Sequence, residues 1–218
     1  MEKMQQRHLD VSVPAVYRHH LGKRLLDIVI SLLLLICCLP IFILVSIAVI
    51  LFSGGPVIFT QSRTGLQNQP FTIFKFRTMK IVKQDENRHK YEWPEGVPNS
   101  FLFKTVGDET VTSIGKFLRK YSLDELPQLL NVLKGDMSIV GPRPEIPAIT
   151  DMYNAHQEKR LLVKPGVTGY AQINGRSEIS HGKKIEYDLY YVENWNLLLD
   201  LKIMIATFGY VIKGKGAY

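Results

Sequence analysis

Two adjacent carboxylates, Asp124 and Glu125, lie between basic residues, with Arg119 and Lys120 upstream and Arg143 downstream. A carboxylate in such surroundings can attack phosphorus or hold a divalent cation, and arginine's planar fork suits phosphate oxygens. An aspartate of ordinary pKa, ~3.9, is ionised at neutral pH and needs no separate base. Helical spacing at Ile114, Phe117, Leu118 and Tyr121, and again at Leu126, Leu129, Leu130 and Leu133 before Gly135, places the pair at the start of a second helix. A helix N-terminus offers unpaired N–H groups and partial positive charge to an anion. The same residues also have a structural reading. Ser122-Leu123-Asp124-Glu125 fits a capping box, and Pro127 in the first turn fits Asp124 as the cap itself. On these residues alone both readings stand.

Arg143 belongs to Gly141-Pro142-Arg143-Pro144, a turn stiffened by two prolines. Such a turn presents an arginine in a fixed place; a solvated surface charge is the alternative. Pro165-Gly166-Val167-Thr168-Gly169 and Asn174-Gly175-Arg176 add Gly-bearing turns where backbone could approach a ligand. Absences narrow the chemistry further. The chain has no G-x-x-x-x-G-K-[ST] loop, no G-x-G-x-x-G and no Asp-x-Asp pair. His8, His19, His20, His89, His156 and His181 are scattered without zinc-site spacing and read mostly as surface residues. Cys37 and Cys38 are adjacent in the most apolar stretch, so neither a disulfide framework nor a Cys/His metal site is available.

The elements that must position these residues begin at a membrane. In a chain of 218 residues with net charge +7, Ile28 to Phe52 carries no charge at all. That run of 25 residues exceeds the ~20 a spanning helix requires. A signal peptide has a shorter apolar core and a small-residue cleavage site, which Ser53-Gly54-Gly55-Pro56 does not supply. Pro40 lies at the middle of the run, so each half, at ~1.5 Å per residue, measures ~18 Å and reaches about one leaflet deep. Proline kinks or breaks a helix there. Both flanks are basic: Arg18, Lys23 and Arg24 before, and Arg63, Lys75, Arg77, Lys80 and Lys83 after. Basic residues favour the cytoplasmic side, which fits a helix that enters and turns back. A single bent span is the competing reading.

Beyond Ser53 the composition is that of a small α/β domain, mostly helical. Val57-Ile58-Phe59 and Phe71 to Phe74 read as short strands around the polar loop from Gly65 to Pro70, and Gln84 to Pro98 reads as a mobile loop. Trp195 to Ile212 is apolar but carries Asp200 and Lys202, as an amphipathic helix at the membrane interface would. Three parts follow: a basic N-terminal segment, 1–22; a re-entrant helix broken at Pro40, 23–53; and a cytoplasmic α/β domain with interfacial amphipathic helices, 54–218. The positive charge alone would also suit nucleic acid, but no aromatic residues interleave with a basic patch, so a nucleic-acid partner is not expected.

Lys23-Arg24-Leu25-Leu26-Asp27, GGPVIFTQSRTG, FTIFKFRTMK, SLDELPQLLNVLKGDMSIVGPRPE, KPGVTGYAQINGR and YDLYYVENWNLLLDLKI resemble, in that order, the monotopic polyprenyl-phosphate phosphoglycosyl transferases, or bacterial sugar transferases. The resemblance runs from about Lys23 to the end. It implies transfer of a sugar phosphate from a nucleotide sugar, with uridine as the base, to a polyprenyl phosphate, the first membrane step of bacterial glycoconjugate synthesis. It implies Asp124 as nucleophile, Glu125 as a Mg²⁺ ligand, Arg119 and Arg143 as phosphate-holding residues, Arg176 near the nucleotide and Asp200 as a supporting acid. Lys75 and Arg77 fall in the family's basic motif, serving either the lipid phosphate or the fold. The whole enzyme would sit on the cytoplasmic face of the inner membrane among bilayer lipids, as a minimal catalytic unit; oligomeric state, a homodimer included, is left open.

Two departures are visible. Many relatives break the helix at Ser-Pro, where this chain has Leu39-Pro40, and many have Asp-Pro-Arg where it has Asp108-Glu109-Thr110. Two rival functions compete with the transfer reaction. A membrane-anchored basic scaffold explains the charge and the anchor but not the carboxylate pair among arginines. A direct glycosyltransferase would use the same donors and release nucleoside diphosphate.

Overall fold

The computed structural model describes residues 21–80, 93–102, 110–175 and 178–214, so the basic N-terminal segment lies outside it up to residue 20. Helix α1 (Leu21–Cys37) and helix α2 (Leu39–Ser53) divide the apolar run and are bent by 62° at the break. Pro40 is the cause: it has no N–H to give the Ile36 carbonyl, and its ring crowds that carbonyl. The first helix ends with Cys38 N donating to Leu34 O at 2.8 Å, and the second starts with Phe42 N donating to Cys38 O at 2.9 Å. Among the described residues no single helix is long and apolar enough to cross a membrane; this bent pair passes that test only together.

The pair has two unlike faces. Leu32, Leu33, Ile36, Ile43, Leu44, Leu51 and Phe52 are exposed. Facing inward on α1, a stripe of polar residues, Lys23, Asp27 and Ser31, is buried at intervals of four. Val45 and Val49 of α2 pack against Phe76 and Leu118. Lys23 and Arg24, which read as flanking charges, are therefore ties into the domain. Lys23 Nζ lies 2.7 Å from Asp200, and Arg24 donates to the carbonyls of Val132 and Leu133 at 2.6 and 2.8 Å.

Past the bent pair, strands β1 (Ile58–Thr64) and β2 (Pro70–Phe76) form an antiparallel hairpin, with Ile58 opposite Phe76 and Thr64 opposite Pro70. Both strands are longer than their apolar cores predict, because ladder pairing carries β1 on through the polar Gln61, Ser62 and Arg63. Helix α3 (Ser113–Lys120) starts on Thr112, whose hydroxyl accepts from Gly115 N at 3.0 Å. Helix α4 (Gln128–Lys134) ends on Gly135 in the left-handed region, as expected of a glycine stop. Strands β3 (Ser138–Val140) and β4 (Gly166–Thr168) pair in parallel, and the Pro-Arg-Pro turn leaves the end of β3. Four-residue helices α5 (Pro147–Thr150), α6 (Ala155–Glu158) and α7 (Tyr170–Ile173) lead to the long α8 (His181–Asn194) and α9 (Leu197–Ile212).

The main core joins Ile73 of β2, Leu129 and Val132 of α4, Ile139 and Val140 of β3, Tyr191 and Trp195 around α8, and Ile203 of α9. The described residues are thus mostly helical, with two small two-stranded sheets. On α9 the charge of Asp200 faces inward and the apolar side outward: Asp200 and Ile203 are buried, and Leu198, Leu201, Ile205, Phe208 and Ile212 are exposed. Two expectations need correction. His181 is the exception to the mostly surface histidines: it is a core residue packed on Phe101 and Tyr153. Gln84 to Pro98 lies outside the described residues up to 92, and its last part is fixed: Val97 is buried and exchanges two hydrogen bonds with the Gln157 side chain, at 3.1 and 2.6 Å.

Candidate active site

The carboxylate pair sits on a turn and caps nothing. Ser122 takes a left-handed conformation (φ 54°), and Leu123–Glu125 form one 3₁₀ turn before α4 begins beyond Pro127. The Ser122 side chain makes no capping bond, and the cap position of α4 falls on Pro127. The capping box and Asp124 as a cap are both excluded in this geometry. The sharp turn at Ser122 points the two acids back between β2 and the Pro-Arg-Pro turn, where their partners come from residues far apart in sequence.

The two acids differ in what they touch. Glu125 accepts from Lys75 Nζ of β2 at 3.0 Å and from both Nη atoms of Arg143, one of them at 3.2 Å. Burial pushes its pKa up, but Arg143 and Lys75 outweigh burial and hold the carboxyl far below the usual range. Among the described residues nothing donates a hydrogen bond to Asp124, which is 8% exposed. Burial, then the neighbouring Glu125 charge, push the Asp124 carboxyl up to about 6 against the lowering influence of Lys75, Arg143 and Arg119. Burial thus places this carboxyl above the ordinary aspartate range expected from the sequence.

Arg119 of α3 is steered by its Nε, which donates to Thr78 Oγ1 at 3.0 Å, and its charge reaches Asp124. Arg143 is held from behind: buried Arg160 donates from Nη2 to the Arg143 carbonyl at 2.8 Å while pairing with Asp188 at 2.6 Å. No group of three or more metal-donor side chains occurs among the described residues. The chemistry present fits Mg²⁺ only in its usual manner with phosphorylated substrates, one or two carboxylates completed by phosphate oxygens and water. Asp124 and Glu125 are the residues that would supply those carboxylates.

Comparison with known proteins bears on this arrangement. Residues 18–214 match the family model described as bacterial sugar transferase. The chain belongs to that family. Over 196 residues it is 47% identical to the protein named uncharacterized sugar transferase EpsL of Bacillus subtilis, covering 89% of each chain. It is 39% identical to the exopolysaccharide production protein ExoY of Sinorhizobium fredii, over 91% of this chain and 88% of that one. With the UDP-glucose:undecaprenyl-phosphate glucose-1-phosphate transferase of Klebsiella pneumoniae it shares 44% identity over 90% of its own length but only 41% of the relative's.

In this bacterial sugar transferase the remaining expected site residues are dispersed. Lys75 and Arg143 join the pair, and Arg119 lies beside it, but Arg77 does not. Its guanidinium donates to the carbonyls of Ser53, Gly54 and Gly55, gripping the exit from α2. Asp200 receives hydrogen bonds from Tyr191 (2.8 Å) and Trp195 (3.1 Å) and pairs with Lys23, so it ties α9 to α1. Arg176 lies outside the described residues. The glycines of Pro165 to Gly169 meet protein backbone, with Gly141 against Gly166 and Gly169, and not open space for a ligand. Sequence reading misses Arg63 as a site residue, and Gln128 and Arg160 altogether. The first two line a recess beside Lys75 and Arg143, and no local pattern marks any of the three for this role.

Proposed function

We propose that the chain moves a sugar phosphate from a nucleotide diphosphosugar, with UDP as the nucleotide, to undecaprenyl or a similar polyprenyl phosphate through a phosphosugar carried on Asp124. The family supports sugar transfer, and the Klebsiella relative's name supplies the donor and acceptor classes. The observation that carries the mechanism is the division of labour between the two acids: Glu125 is bound to Lys75 and Arg143, and Asp124 has no donor among the described residues.

An Asp124 carboxylate oxygen attacks the phosphorus next to the sugar. The bond from that phosphorus to the nucleoside monophosphate breaks, and its electron pair leaves on the monophosphate. A polyprenyl phosphate oxygen then attacks the same phosphorus, breaking the bond to Asp124 and restoring the carboxylate. Splitting one transfer into two is the advantage of covalent catalysis. Lys75, Arg143 and Arg119 offset the charge gathering on the phosphates, and Glu125 fixes two of these cations. Bound Mg²⁺ would neutralise further negative charge on the leaving phosphate. The exposed apolar faces of α1, α2 and α9 hold the site at the cytoplasmic membrane surface, where a lipid acceptor reaches it without leaving the bilayer.

The test omits the acceptor. Enzyme and UDP-sugar alone should release close to one equivalent of nucleoside monophosphate and add a sugar phosphate to the peptide containing Asp124. Release of nucleoside diphosphate would replace this reading with direct glycosyl transfer; no release from any nucleotide sugar would leave the scaffold. Full activity in a chelator would remove the metal.

A further inference from the structure

Behind Glu125 the protein gathers more positive charge than the acids bonded to it answer. A small recess opens between β1, β2 and the Pro-Arg-Pro turn, lined by Arg63, Ile73, Lys75, Gln128, Arg143 and Pro144. Lys75 and Arg143 share the single carboxylate of Glu125. Arg63 gives its Nη atoms to neutral acceptors, the Pro144 carbonyl at 3.2 Å and the Gln61 side chain at 2.7 Å. The nearby Glu145 feels the Arg63 charge but bonds Lys184 at 3.1 Å. Three cations thus line a space with one carboxylate bonded to them; the Asp124 charge also reaches Lys75 and Arg143, whereas Arg63 has no anion bonded to it, and buried charge is ordinarily paired.

A second observation is independent of charge. Gln128 is 1% exposed, and its Nε2 has no hydrogen-bond partner among the described residues; Arg63 Nε is likewise buried and unpartnered there. Buried donors in folded proteins nearly always meet an acceptor. A phosphate, anionic and carrying several acceptor oxygens, would satisfy these donors and face the cations of the same wall.

We propose that the recess is a phosphate subsite in which Gln128 and Arg63 are binding residues, acting with Lys75 and Arg143 on a phosphate next to the reacting phosphorus. The inference rests on the proposed double displacement, which places two such phosphates there in turn. Attacking and leaving oxygens lie roughly in line through phosphorus. The monophosphate that leaves in the first step and the lipid phosphate that arrives in the second therefore both stand opposite Asp124. One recess serves either or both.

Gln128→Leu keeps volume and helix propensity while removing the amide, and Gln128→Glu puts negative charge in its place. Equilibrium binding of uridine monophosphate to the full chain in nanodiscs needs no turnover. Loss of a hydrogen bond to a charged ligand should weaken it about tenfold in Gln128→Leu, and Gln128→Glu should weaken it further. KM values for UDP-glucose and undecaprenyl phosphate separate the sources: a rise in the first alone assigns the recess to the departing nucleotide, in the second alone to the lipid, in both to each in turn. Unchanged binding and unchanged KM values in both variants, folded as judged by parental melting temperatures, would overturn the subsite. If Gln128→Glu fails to fold, Gln128→Leu decides alone. A parent chain that binds uridine monophosphate through Gln128 yet releases none from UDP-sugars would sink the proposed reaction and leave the subsite standing.

Discussion

Asp124 and Glu125 differ by one methylene, yet their surroundings separate their acidities in opposite directions. Glu125 stays ionised at any working pH because Arg143 and Lys75 outweigh the cost of its burial. Asp124, with a pKa pushed up to about 6 by burial and by Glu125, is mostly ionised at pH ~7.5 and mostly protonated at pH ~5. In the proposed reaction only the ionised form attacks phosphorus, so the rate of monophosphate release should fall about tenfold per pH unit below about 6. In Glu125→Gln one raising influence is gone, and this acid limb should move to lower pH even as the rate drops; a limb that stays put assigns it to another group. The same shift has a stability consequence. Asp124 has a folded pKa of about 6 against ~3.9 unfolded, so the fold favours the protonated form, and the parent gains stability as pH falls from ~7 through 6. Asp124→Asn mimics that neutral form and should be more stable than the parent by on the order of 2–3 kcal/mol at pH ~7.5, with the advantage shrinking toward pH ~5. Melting temperatures of both proteins across this range check it; equal values at the upper end would mean the buried charge costs nothing.

At the scale of elements, Gly166 shows how a motif can be visible while its purpose is not. A Cβ there would land on the backbone of Gly141 and Thr168, at the point where β4 runs beside the start of the Pro-Arg-Pro turn. Gly166→Ala should therefore force that turn away from β4, lowering the melting temperature and activity together, whereas Gly209→Ala, with open space around it, should do neither. Calorimetry and monophosphate release on the two variants check this. Helices α3 and α4 and the β1–β2 hairpin are legible in the sequence because each rests on local periodicity and a local stop, such as Gly135. The break at Pro40 is legible for the same reason: a missing N–H acts within one turn. The 3₁₀ turn at Asp124 is not, since a left-handed Ser122 runs against the ordinary preference of a non-glycine residue and no local pattern announces it. Nor can periodicity reveal that Arg63 and Gln128 meet across a recess, because they lie on β1 and α4, with the Arg119 helix between them in sequence.

For the whole molecule, the question is what fixes the bent helix pair to the chemistry. Lys23 near the start of α1 reaches Asp200 of α9 at 2.7 Å and the Val140 carbonyl at 3.2 Å, just ahead of the turn that carries Arg143. One helical turn on, Asp27 accepts from Ser138 Oγ and Ile139 N, both at 2.9 Å, and Arg24 holds the last carbonyls of α4. These polar ties join α1 to β3, to the end of α4 and to α9. Lys23 is 6% exposed and Asp200 0%, so removing either partner strands a buried charge, at a cost of roughly 3–5 kcal/mol. Lys23→Met leaves the Asp200 anion without the cation paired to it at 2.7 Å, and Asp200→Asn removes the carboxylate from that pair. Together the substitutions remove both charges; the amide oxygen that Asp200→Asn introduces can still accept from Trp195 in place of Oδ2, and the amide nitrogen in place of Oδ1 can donate to the Tyr191 hydroxyl, whose own proton still has the Val140 carbonyl as acceptor. The double variant should therefore melt well above the lower of the two single variants, a strongly non-additive cycle. Additive losses would mean that the two side chains stabilise the fold separately and that the tie between α1 and α9 is made by the surrounding apolar contacts instead.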